Sequence, residues 1–61
     1  MDIRLRVLYQ ELTEEQFNNI RNLTKDSIGR NGIEVWFETK EGITDQDIET
    51  LCTQNDLVRI S

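Results

Sequence analysis

Histidine and proline are absent from this sequence of 61 residues, cysteine occurs once and glycine three times. Without histidine there is no imidazole to serve as general base beside a serine or cysteine, and no histidine-ligated metal centre. With Cys52 as the single thiol, no intramolecular disulfide can form. The fold must then rest on burial and hydrogen bonding, which suits a reducing, cytoplasmic setting. Gly29, Gly32 and Gly42 are too scattered to build a phosphate-cradling loop. No run approaches the roughly 20 apolar residues that span a bilayer, and the first residues carry no signal-peptide pattern. The expectation is a soluble chain with no membrane segment and no cofactor.

Twelve acidic and seven basic side chains give a formal net charge of -5. That balance opposes attraction to a phosphate backbone and makes nucleic acid a disfavoured partner. An acidic surface can instead engage a basic protein surface, although a charge of this size is also ordinary for a soluble protein. A chain this short supports one small domain, 1–61, with a core near the lower size limit for standing alone. Dimerisation helps such a chain.

The densest β-branched and aromatic run is residues 33–39, and the rest of the chain can be organised around it. In a strand Ile33, Val35 and Phe37 point one way and Glu34, Trp36 and Glu38 the other. One apolar and one charged face argue for a sheet covered by helices on one side only. Residues 3–9 alternate likewise, with Ile3, Leu5, Val7 and Tyr9 inward and Arg4, Arg6 and Leu8 outward, so the arginines complement Glu34 and Glu38 on a neighbouring strand.

Between these strands, Thr13 and Gln16 form a capping box, with Leu12 and Phe17 placed to pack across the first turn. Phe17, Ile20, Leu23 or Thr24, and Ser27 or Ile28 continue at helical spacing, predicting a helix over about 14–27 stopped by Gly29. Arg30-Asn31-Gly32 then reads as a turn. The Asn-Gly pair is a hairpin signal, but a helix of that length leaves too few residues for another strand before it. Thr44 and Asp47 repeat the capping device, with Ile43 and Ile48 as staple, ahead of a shorter helix that stops at Asn55-Asp56. Residues 57–60 form a last short strand in which Val58 and Ile60 face inward and Arg59 joins the arginines outside.

The expected fold is therefore two-layer α/β, in the order βαβαβ. It has a three-stranded, mostly parallel sheet of order 1-2-3, the Trp36 strand in the middle, two helices on one face and the other face exposed.

Little in the sequence suggests catalysis. Cys52 lies on the apolar stripe of the second helix and reads as a small core residue rather than a reactive thiol. The pairs Glu14-Glu15, Glu34/Glu38 and Asp45/Asp47 lack a pocket to push their pKa values apart, and capping explains most of them. Residues 45–49 lack the turn glycine and distal glutamate of a calcium loop. Asn22-Leu23-Thr24 matches a glycosylation sequon by chance inside a predicted helix.

Trp36 stands apart. An exposed tryptophan among arginines is a usual anchor of protein interfaces, while the local alternative is a cation-π stack under Arg4, Arg6 or Arg59. The sequence thus predicts a non-enzymatic module that binds another protein, as a small inhibitor or regulator. Its expected surface comprises Trp36, Arg4, Arg6, Leu8, Glu34, Glu38 and Arg59. The alternative is a homodimer closed by the same face or by an edge strand. A third reading, weak single-stranded nucleic-acid binding by base stacking, has one ring available and carboxylates around it.

Overall fold

In the computed structural model, which describes residues 1–9 and 11–61, both capping boxes close. Thr13 Oγ1 accepts from the Gln16 amide at 3.1 Å while Gln16 Oε1 accepts from the Thr13 amide at 2.8 Å. Two otherwise orphaned amides are satisfied, and α1 (Glu14–Arg21) begins there. Thr44 and Asp47 exchange the same pair of bonds, at 3.2 and 2.9 Å, at the head of α2 (Asp45–Asn55). That helix ends at Asp56, whose φ of 53° lies in the left-handed region.

The strands are β1 (Asp2–Val7), β2 (Thr24–Asn31), β3 (Glu34–Thr39) and β4 (Leu57–Arg59). They form one four-stranded sheet in the order β2-β3-β1-β4, and every neighbouring pair is antiparallel. The expected three-stranded, mostly parallel sheet is therefore incorrect. Its error lies in residues 24–31: α1 stops at Arg21, and the segment assigned to its second half is a strand. The hairpin that the Asn-Gly pair signals is real. Asn31 pairs with Glu34 across the two-residue loop Gly32-Ile33, and Gly32 has φ +62° while Ile33 keeps a negative φ, the pattern of a type II′ turn.

Pairing antiparallel neighbours fixes the rest of the topology. β1 and β2 run parallel with β3 between them, and β3 and β4 run parallel with β1 between them. Each helix thus does cross between parallel strands, but around an inserted third. The order βαββαβ with both crossovers skipping a strand is the split βαβ, or ferredoxin-like, arrangement. Arrangement alone carries no function.

Ile3, Leu5 and Val7 of β1 meet Val35 and Phe37 of β3 in a core completed by Ile20, Ile48, Leu51 and Leu57. Leu12 and Ile43, the residues before the two caps, pack half-buried against it. The buried polar side chains Thr24, Thr39 and Asn55 are partnered: Thr24 Oγ1 donates to the Ile20 carbonyl at 2.8 Å, Thr39 Oγ1 to the Met1 carbonyl at 3.3 Å, and Asn55 Nδ2 to the Leu51 carbonyl at 2.8 Å. Asn55 also joins the helices, because Asn19 Nδ2 donates to its Oδ1 at 2.7 Å and Gln16 Nε2 donates to its carbonyl at 2.6 Å. Both helices consequently cover one face of the sheet. The other face is open.

Candidate functional site

Alternation along β3 sends Val35 and Phe37 into the core and leaves Trp36 on the open face, 40% exposed. Register decides what surrounds it. Trp36 lies opposite Arg4 on β1 and opposite Gly29 on β2. Arg4 Cζ sits 5.7 Å from the centre of the indole, within cation-π range. On the other flank the indole lies directly on Gly29, where a Cβ would overlap Trp36 Nε1 and Cε2. The ring is held between a guanidinium and a bare backbone, so it is exposed and yet fixed. A large side chain covering a glycine on the neighbouring strand is also a recognised way to seal a weak point in a sheet.

Arg6 lies opposite Glu34 on β3 and opposite Val58 on β4, and Asp2 lies opposite Glu38. Glu38 is reached by Lys25 Nζ at 3.7 Å. A shallow depression of about 450 Å³ runs beside the indole, lined among others by Asp2, Arg4, Ser27, Gly29 and Glu38. Past Arg59 the amides of Ile60 and Ser61 both donate to the Arg4 carbonyl, at 2.8 and 3.3 Å, while the Arg4 amide donates to the Ser61 carbonyl oxygen at 3.1 Å. Two residues against one is the signature of a β-bulge, which continues β4 alongside Arg4.

Of the seven residues expected on this face, Trp36, Arg4, Arg6, Glu34 and Glu38 are brought together. Arg59 and Leu8 are not. Arg59 pairs with Leu5, so it emerges on the helix side, where its Nη1 meets Asp45 Oδ1 at 2.8 Å at the start of α2. The parity of the last strand is the reverse of the expectation: Leu57 is buried, and Val58 is 39% exposed opposite Arg6. Leu8 lies beyond the end of β1 and lines a separate groove of about 490 Å³ with Cys52, Leu57 and Arg59. Tyr9, expected to cap the core, is 83% exposed, and Ile33 belongs to the turn rather than to the core face of the strand.

Five residues of the open face were missed by sequence reasoning: Asp2 precedes the strand as read from the sequence, and Lys25 falls in the segment read as helix. Gly29 reads as a helix stop, and Val58 and Ile60 turn inward if Arg59 is matched by charge to the outer arginines. The signal for the other parity was present in Asp45, an acid at the nearby helix start with which Arg59 could pair instead.

Among the described residues no group of three or more histidine, cysteine, aspartate or glutamate side chains is placed to hold a metal ion. In the second groove, burial pushes the Cys52 thiol above its ordinary value, with Glu49 adding to the rise and Arg59 opposing it. A thiol held protonated is a poor nucleophile at neutral pH. Among the described residues no helix is long and apolar enough to cross a membrane. Comparison with protein-family models, curated proteins and solved structures found no match to this chain.

Proposed function

We propose that this chain is a non-enzymatic protein-binding module whose contact surface is the open sheet face centred on Trp36. The observation that carries the reading is the indole itself, 40% exposed at the middle of the sheet and immobilised by Gly29 and Arg4. An aromatic side chain that is already ordered loses little conformational freedom when a partner covers it, which is what makes such residues anchors of interfaces. Arg4 and Arg6 supply cationic heads on aliphatic stems, Val58 and Ile60 supply apolar surface, and Glu34 and Glu38 supply a charged rim. A role as a small cytoplasmic inhibitor or regulator belongs to the case in which the partner is a foreign protein. Base stacking is the weaker reading, since Asp2, Glu34 and Glu38 share the face with the single ring and repel phosphate.

Capture on immobilised protein tests this reading. The wild type, Trp36→Ala and Gln46→Ala, the last on the opposite helix surface, are compared for retention of proteins from an extract that also contains free copies of the chain. The reading expects a bound protein, identified by mass, that Gln46→Ala retains and Trp36→Ala loses by roughly thirtyfold, the scale of one central hot spot. Equal retention by all three, with each folded by circular dichroism, would sink it. If Trp36→Ala proves unfolded, Arg6→Glu on the same face takes its place.

A further inference from the structure

The charges of the open face cancel: Asp2, Glu34 and Glu38 stand against Arg4, Arg6 and Lys25, so the net -5 of the chain resides on the helix side and the edges. It is a broad surface on which two copies would not repel. The signs are partly ordered in rows, since β1 carries Arg4 and Arg6 after Asp2 at its start, while β3, its neighbour, carries Glu34 and Glu38.

Resting on the reading of this face as the contact surface, we propose that its occupant is a second copy of the chain, docked face to face about a two-fold axis that runs along the strands between β1 and β3. That axis lays β1 of each copy over β3 of the other at the same level along the strands. The register already given then sets Arg6 over Glu34 of the partner subunit, twice, brings the two Arg4-Trp36 pairs together at the centre, and sets Asp2 over Glu38 of the partner subunit, twice, an acidic contact beside which Lys25 stands 3.7 Å from Glu38. It also lays β4 over the partner's β2, so that Ile60, paired at the level of Arg4, meets the indole where it lies across Gly29. The other face-to-face two-fold, perpendicular to the strands at the level of Arg4 and Trp36, would stack each row on itself, setting Asp2 over Arg6 twice but opposing Glu34 to Glu38 twice and Arg4 to Arg4. The two arrangements match in opposite-charge contacts, and the first is favoured by the Arg4-Arg4 contact it replaces with Arg4 on the indole, as electrostatic complementarity commonly sets register between surfaces.

Size sets the strength. Four strands about 4.8 Å apart and six residues long cover about 400 Å² on each copy, or about 800 Å² in total, below the roughly 1,200 Å² at which standard interfaces begin. The dimer is a weak one, exchanging with monomer in the micromolar range.

Sedimentation equilibrium over a dilution series tests the pairing, with wild type, Arg6→Glu, Glu34→Arg and an equimolar mixture of the two variants. Each variant alone turns the two Arg6-Glu34 contacts of the proposed dimer into like-charged ones and should dissociate at least about tenfold more readily than wild type. Their mixture restores opposite charges at both contacts and should return to dimer. A change confined to one chain's fold cannot be mended by mixing, so rescue is specific to the cross-subunit pair. Wild type that stays monomeric at the highest concentrations overturns the second-copy proposal, whereas the open face as contact surface is judged separately by the Trp36→Ala capture. A wild-type dimer unaffected by either charge reversal, or variants that remain monomeric when mixed, would overturn the arrangement.

Discussion

Gly29 and Trp36 are a single structural unit although they stand seven positions apart in the chain. The glycine is required by the indole and not by its own backbone, because Gly29 is not among the positive-φ glycines and the overlap a Cβ would meet is with the ring. Gly29→Ala should therefore displace the indole, cost about 1–3 kcal/mol as other overpacking substitutions do, and shift Trp36 emission to the red. In the Trp36→Ala background the same change has nothing to collide with. There alanine should be neutral, or stabilising by about 0.5–1 kcal/mol through its smaller loss of backbone freedom. Denaturant midpoints of the four proteins in that cycle check the coupling, and additive effects would show that the two residues are independent. At this scale much was legible in the sequence: the outward parity of Trp36, its arginine neighbours and both capping boxes follow from alternation and from spacing alone. The glycine beneath the ring was not, because nothing local to Gly29 distinguishes a strand glycine under an aromatic from a helix stop.

At the scale of elements the decisive misreading is β2. Thr24 and Ile28 both face the core, and a spacing of four residues is helical. It is equally the spacing of alternate positions on one face of a strand, but here a bulge shifts the register between Thr24 and Ile28, where four residues of β2 run beside two of β3, and Asp26 midway between them is exposed. The irregularity breaks the period-2 signal, and the exposed Lys25, Asp26 and Ser27 make the segment polar enough to pass for a helix surface. The same bulge, with Lys25 and Asp26 on it, roughens an edge strand that would otherwise invite pairing. Mistaking this segment removed one arm of the hairpin, and with it the antiparallel sheet. The true determinant is Gly32, whose φ of +62° starts the two-residue loop. Its surroundings are open, since a Cβ at this position would meet nothing within 4 Å, so Gly32→Ala tests backbone conformation alone. Urea unfolding should show a loss of about 1–2 kcal/mol, the cost of holding an L-residue in the left-handed region. An unchanged midpoint would mean that the turn can adopt another form without loss.

For the molecule as a whole, size and charge act together. A core of nine buried apolar side chains among the described residues is small for an independent domain. The net charge of -5 is concentrated away from the open face, so association through that face adds burial without bringing net charge together. If folding and association are coupled in this way, apparent stability must follow mass action. Native dimer gives two unfolded chains, and the melting temperature rises with concentration. For a dimer of chains this length the shift should be roughly 6 °C per tenfold increase in protein wherever the dimer predominates. The same scan on Arg6→Glu should be flat, because a monomer melts at a temperature independent of its concentration. Parallel curves for the two proteins, both flat, would mean that the buried core and the helix clamp at Asn55 hold the fold unaided. The open face then contributes nothing to stability, and its fixed indole is left for a foreign partner.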